Sequence, residues 1–382
     1  PHAEEQISIQ ARRTRKPRRF FNLSKKVMDR SPRSSDGLSF TADYKSLGDE
    51  VNLIGDTIPI SLFYKSGNSY CVSDRGRIAG RIEISGRFRY PSPGGAMKKI
   101  GFIDYYIDNW HANNYPRMIR ESAFKNDFEV ALAWQEVAPP GKKTLEEWCR
   151  EQNVSPARSL EEVVDTCDCL LVLSPDDADR HLPLSKSALR SGKPVYIDKP
   201  FADRASDARE MFNLAAASKT PLMTSSSLRF TPALSTALKE KIRDKRVHFV
   251  STWGGGRFPV YIVHVLEMLA MTLGTGARRV MSAGSAAMAS VLIVDYPDKR
   301  RGLVQLFPGF EFGLAATYGD GESLAVPNMQ GYFEAFIDAM LDFFSTGKNP
   351  IPRAQTLEIV ALQEASAQAL GHRDHWIEVE II

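Results

Sequence analysis

The sequence predicts an α/β protein, with a doubly wound parallel sheet followed by an α+β domain whose sheet is largely antiparallel. Three observations carry this. Between Lys99 and Thr224 short apolar runs alternate in regular turn with amphipathic helical stretches, which is the pattern of βαβ units. After Pro232 the texture changes to β-branched runs joined by tight turns, the pattern of antiparallel strands. The chain has 382 residues, 43% of them hydrophobic and 25% charged, which supplies apolar material for two or three domains.

Taken in order, Lys99-Ile100-Gly101-Phe102-Ile103-Asp104 reads as the first strand, and a helix begins near His111. Strands are expected at Phe128 to Trp134, Cys169 to Leu173, Val195 to Ile197 and Pro221 to Thr224, separated by helices at Leu145 to Glu151, Ala178 to Arg190 and Arg204 to Ala217. Right-handed crossovers place helices on both faces of such a sheet. In the second domain, strands are expected at Val247 to Trp253, Arg279 to Ala283, Ser290 to Tyr296, Gly302 to Phe307, Phe310 to Tyr318 and Trp376 to Ile382. Helices are expected at Val260 to Thr272, Tyr332 to Phe344 and Ala354 to Leu370.

The first 96 residues differ in kind. They carry 17 Lys+Arg against 10 Asp+Glu, so that the net charge of +3 is the sum of a basic segment at +7 and a remainder at −4. Arg12-Arg13-Thr14-Arg15-Lys16-Pro17-Arg18-Arg19 and the cations after it have little apolar periodicity, which predicts disorder. Nothing near them supplies a base-reading element, and no specific nucleic-acid partner is expected. Ile58 to Tyr64 and Tyr70 to Val72 suggest one hairpin. Patterned sequence begins at Met97 after Pro93-Gly94-Gly95-Ala96, and residues 1–96 are read as a disordered or non-native leader. The expected domains are therefore 1–96, 97–225 and 226–382.

No apolar run approaches the ~20 residues of a membrane span, no signal core follows the amino-terminal charges, and the expectation is a cytoplasmic protein. Cys71, Cys149, Cys167 and Cys169 are too few for a disulfide framework, and they lack metal-ligand spacing. Cys167 and Cys169 are expected as buried thiols on one face of a strand.

The most informative corner is Tyr196-Ile197-Asp198-Lys199-Pro200. A lysine at the carboxyl end of a parallel strand lies where open α/β sheets bind ligands, and its ammonium can hold a substrate hydroxyl. Four stretches then resemble the Gfo/Idh/MocA family across residues 97–382. Ser174-Pro175, His181, Gly192-Lys193 and Asp198-Lys199-Pro200 follow one another in the family's order, with Asp198 where the family has Glu. Arg229-Phe230-Thr231-Pro232 is similar to the opening of its second domain. Gly254-Gly255-Gly256 stands eight positions before His264, and Gly331-Tyr332-Phe333 through Gly347 and Pro350 match its closing helix.

The resemblance implies a Rossmann-like first domain, a nicotinamide cofactor (NAD or NADP), a sugar, inositol or sugar-derivative substrate, and a homo-oligomer. It gives Lys199 the reacting oxygen and makes His264 a general acid or base. Arg229, Arg257, Tyr261 and His181 become candidates for substrate oxygens. Asp104, Tyr105, Tyr106, Trp134, Ser174, Pro175 and Asp198 fall on cofactor positions.

The departures lie at the nucleotide site. Asp104, Tyr106 and Asn109 stand where a G-x-G-x-x-G loop has glycines, and the missing glycines disfavour a pyrophosphate in its usual pose. Trp134 replaces the acid that holds the ribose, with Glu136 the nearest substitute, and Val260 stands where the family commonly has an aspartate. Asp104, Tyr105, Asp108, Trp110 and His111 also suit carbohydrate directly, since rings stack on C–H faces beside hydrogen-bonding carboxylates. Two alternatives stay open: a pseudoenzyme or carbohydrate-binding protein without cofactor, and a non-redox lyase or hydrolase.

Overall fold

The computed structural model describes residues 96–283 and 289–380, together with the backbone of strands between residues 7 and 84. The chain forms two compact units, Pro1–Pro91 and Ser92–Ile382. In the first, β1 (Ile7–Gln10), β2 (Leu38–Phe40), β3 (Glu50–Gly55), β4 (Ile58–Tyr64), β5 (Ser69–Asp74) and β6 (Arg77–Ile84) form one antiparallel sheet in the order β2-β1-β6-β5-β4-β3. The expected hairpin is β4–β5, paired from Ser61–Ser73 to Tyr64–Tyr70, and it belongs to a wider sheet. The basic run at residues 11–33 lies outside the described residues.

The second unit opens with β7 (Lys98–Asp104), α1 (Trp110–Glu121), β8 (Phe128–Gln135), α2 (Leu145–Gln152), β9 (Ser155–Pro156) and α3 (Leu160–Thr166). It continues through β10 (Cys169–Val172), α4 (His181–Leu189), β11 (Val195–Ile197), α5 (Ala205–Ala217) and β12 (Leu222–Met223). These strands form a wholly parallel sheet, β12-β11-β10-β7-β8-β9. Helices cover both faces, so β10 is apolar and buried along its whole length. Local chemistry sets the helix starts. Thr144 and Glu147 make a reciprocal capping box for α2, and Ser159 caps α3.

The second layer contains α6 (Pro232–Ala237), β13 (Val247–Gly254), α7 (Ile262–Leu273), β14 (Arg279–Ser282), β15 (Ser290–Asp295), β16 (Arg301–Leu306), β17 (Gly313–Tyr318) and β18 (Glu322–Val326). It closes with α8 (Tyr332–Thr346), α9 (Arg353–Gly371) and β19 (Trp376–Glu378). The sheet order is β18-β17-β13-β16-β15-β14-β19, antiparallel except where β13 runs parallel to β16. The fold is the predicted α/β class with a mostly antiparallel second sheet.

Two details differ from expectation. Cys167 and Cys169 are both buried, but Cys167 packs with Val163 and Leu170 while Cys169 packs with Phe102 and Trp148 on the other face. Cys167 is the C-cap of α3, not a strand residue, so strand alternation does not relate the pair; burial raises the two thiols to about 11 and about 12. The more consequential detail is α8. Its Phe336, Met340 and Phe344 pack with Phe102, Tyr115 and Phe128, so a helix late in the chain completes the core of the first sheet across the expected cut at 225/226.

Candidate functional site

The carboxyl ends of β10 and β11 and the starts of α1, α7 and α8 meet around one cavity of about 310 Å³, at the lower end of the ~300–1,000 Å³ range of small-molecule sites. Lys199 and His264 both line it. Lys199 is 7% exposed, and its Nζ donates to the Pro175 carbonyl at 3.2 Å. That carbonyl follows Ser174, whose φ of +85° is a left-handed conformation unusual for a non-glycine residue. Burial lowers the Lys199 ammonium, with Asp198 and Asp176 opposing. Asp198 is fully buried; one carboxyl oxygen accepts the Lys199 amide at 2.8 Å and the other meets His111 Nδ1. Burial would raise Asp198, but His111 and Lys199 outweigh it and hold the carboxyl below its usual range.

From the second layer, His264 enters from the first turn of α7 with Nδ1 2.7 Å from Ser226 Oγ. Burial pushes it well below the usual histidine value, and Lys199 and His111 push the same way. The glycine trio lets this loop close. Gly256 has φ +100°, and a Cβ there would lie 2.1 Å from the Tyr261 ring, while one on Gly254 would lie 2.1 Å from Phe312. The mouth is aromatic. Half-exposed Trp110 packs on Phe333 at 4.7 Å, and Tyr332 packs on Phe333 at 4.9 Å.

The loop after β7 is built differently from a phosphate cradle. Asp104 is fully buried, and Asn109 donates its side-chain amide to the Asp104 carboxyl at 2.7 Å while also capping α1 through the Ala112 amide. Burial raises Asp104 well above the carboxylate range, against the Asn109 hydrogen bond and the backbone amides of Tyr105 and Tyr106. The Ile107 amide goes to Gln135 Oε1. Arg180 stacks over Tyr105 at 4.5 Å, and Lys142 lies over Tyr106 at 5.2 Å.

Comparison with known proteins agrees with this architecture. Residues 111–226 match the model of GFO_IDH_MocA, the oxidoreductase family with an NAD-binding Rossmann fold. That stretch of the chain is similar to the Gfo/Idh/MocA oxidoreductases. Among curated relatives, the uncharacterized oxidoreductase YhhX of Escherichia coli (strain K12) is 35% identical over 80 residues, 21% of this chain and 23% of that protein. The chain therefore matches less than a quarter of that relative's length. A probable dehydrogenase from Thermotoga maritima has the same fold, with a TM-score of 0.62 at 14% identity over 74% of this chain and all of that one. So has apo scyllo-inositol dehydrogenase from Lactobacillus casei, with a TM-score of 0.60 at 13% identity over 74% of this chain and 98% of that one.

The family match begins at His111, immediately after the loop that departs. The Gfo/Idh/MocA cofactor implied by the fold does not fit that loop. Residues 104–109 contain no glycine, and the Asn109 side-chain amide, donating to the Asp104 carboxyl and the Tyr106 carbonyl, fills the place where a pyrophosphate would approach. The obstacle at Asp104 includes occupancy as well as charge, since burial pushes its carboxyl well above the usual range. Asp108 stays anionic: burial opposes this, but Asn113 and Lys143 hydrogen bonds hold it low.

Other expected positions disperse. Arg229 is buried against Glu267 and Gln355, and His181 is fully buried with Nδ1 on the Phe201 carbonyl, so both correct the expectation that they face substrate. Arg257 is exposed and does not line the cavity, whereas Tyr261 does. Trp134 packs into the core beneath α3, Ser174 serves the turn through the Asp177 carbonyl, and Pro175 and Asp198 line the cavity. Sequence reasoning did not single out Tyr115, Ser226 or Phe312, whose places depend on long-range packing that no local motif marks, and it quoted Phe333 only as part of the closing-helix motif.

The buried Asp104 makes a measurable prediction. Its folded value lies above its unfolded one, so the native state binds the extra proton between the two, and stability is lost as pH rises through that window. Asp104→Asn keeps the shape without the titration. It is expected to stabilise the chain by about 1–3 kcal/mol at pH 7, the scale of an uncompensated buried polar group, and by little at pH 3.5. Thermal melts at both pH values measure this; an equal change at both would mean that Asp104 is not held protonated.

Proposed function

We propose that this chain is an oxidoreductase acting on a sugar, inositol or sugar derivative, with NAD or NADP held outside the remodelled loop. The observation that supports it most is the convergence of Lys199 and His264 on one aromatic-rimmed cavity. The residues' own chemistry suits a hydroxyl-bearing carbon. Lys199 carries the charge that holds the oxygen and stabilises it as its proton departs, and the Pro175 carbonyl keeps the ammonium in place. Trp110, Tyr261 and Phe333 offer apolar faces to a ring's C–H surface. The scyllo-inositol dehydrogenase of the same fold points to the same substrate class.

A second reading, carbohydrate binding or non-redox chemistry without a dinucleotide, is favoured by one observation, the hydrogen-bonded Asp104–Asn109 plug. The two separate in one experiment. The full chain is titrated with NAD, NADH, NADP and NADPH while tryptophan fluorescence is followed, and denatured protein is checked for released nucleotide. Hexoses and inositols are then screened for turnover. The oxidoreductase reading expects binding below millimolar concentration; its absence would leave the cofactor-free reading. One face of the second sheet is only partly buried, as alternation along β13 and β16 shows. A homo-oligomer through that face belongs to the proposal, and light scattering measures it.

Among the described residues no helix is long and apolar enough to cross a membrane.

A further inference from the structure

Two imidazoles share the cavity, and they differ in their hydrogen-bond partners. Ser226 Oγ accepts the Leu228 amide at 3.2 Å and lies 2.7 Å from His264 Nδ1, a hydroxyl able either to donate to that nitrogen or to accept from it. His264 is thus not tied to one tautomer by its partner. His111 is so tied. Its Nδ1 faces the Asp198 carboxylate, an acceptor only, so the hydrogen sits on Nδ1 and Nε2 keeps its lone pair.

We propose that His111, oriented by Asp198, is the general base of this cavity and takes the proton of the substrate hydroxyl that Lys199 holds. The proposal rests on reading the cavity as a site for a hydroxyl-bearing substrate. The substrate O–H bond breaks, the bond pair stays on oxygen beside the Lys199 ammonium, and an Nε2–H bond forms; the imidazolium is matched by Asp198. In the reverse direction the same proton returns.

The surroundings hold this arrangement in place. Tyr115 stacks on the His111 ring at 5.0 Å and 15°, and Trp110 meets it edge-on at 5.6 Å. The charged and titratable groups around the cavity are Asp198, Lys199, Asp176, His264, Tyr115, Tyr261 and Tyr332. Of these Asp198 alone bonds the His111 ring. Burial depresses His264, which makes it the weaker base. The acid–base work thereby falls to His111 rather than to the second-layer His264.

Nitrogen-detected NMR of histidine side chains in the full chain, from pH 4 to 9, tests this, with His111 assigned by its loss in His111→Gln. The expected result is the Nδ1–H tautomer for neutral His111, and its loss in Asp198→Asn. A neutral His111 that carries its hydrogen on Nε2 overturns the proposal. On the sugar or inositol found by the screen, His111→Gln is expected to lower kcat about 10²–10⁴-fold, the usual share of general acid–base catalysis; a loss under tenfold also overturns it. If wild type shifts with none of myo-inositol, glucose or galactose while the tautomer is as expected, the carbohydrate reading fails and the dyad stands.

Discussion

Lys199→Met is expected to reduce turnover by about 10²–10⁴-fold while leaving the fold intact and more stable. The two effects share one cause. The ammonium is 7% exposed, and burial lowers it below its unfolded value, so between those two values the unfolded chain binds the extra proton and stability rises with pH. At neutral pH the native state therefore bears a desolvation cost that methionine, of similar length and no charge, removes. The melting midpoint of the variant is expected to exceed wild type at pH 7, with the gap shrinking above pH 10. Residual turnover within threefold of wild type would make Lys199 a packing residue and sink its catalytic role.

The largest effect on stability is expected at Glu267. Its carboxylate meets Arg229 Nε at 2.5 Å and accepts the Ser226 amide at 3.2 Å, and both charged side chains are at most 8% exposed. Removing one partner of a buried pair strands the other, at about 3–5 kcal/mol. Glu267→Ala is expected to lower the urea midpoint accordingly, and to loosen the serine that bonds His264. Arg229→Met with Glu267→Leu replaces the pair by apolar groups and is expected to recover most of the loss. A double variant as unstable as the single one would mean that packing, not the stranded charge, sets the effect.

These sites show what the sequence makes legible. Strand and helix alternation was readable because each βαβ unit carries its own periodicity, and the β10 run Cys169–Val172 is apolar throughout. The Asp198-Lys199-Pro200 corner was readable because strand ends are where such sheets place ligands. Other features depend on distance in the chain. The seven-residue α3 is too short for a clear period, and the parallel β13–β16 pairing is fixed by topology. His111 meets Asp198 across 87 positions, and nothing local ties the histidine to the change from Glu to Asp in the lysine corner. Arg229 and His181 misled for a related reason: a polar residue inside a motif looks available until its buried partners are known.

The seating of α8 has a practical bearing. Residues 97–225 look self-sufficient on paper, yet without Phe336, Met340 and Phe344 the aromatic interior of the first sheet would be uncovered. A fragment ending at 225 should therefore be sticky and poorly soluble. Tyr332 and Phe333, in the opening turn of that same helix, form part of the ligand chamber, so a carboxyl-terminal deletion would take away a wall of the chamber along with the lid of the core.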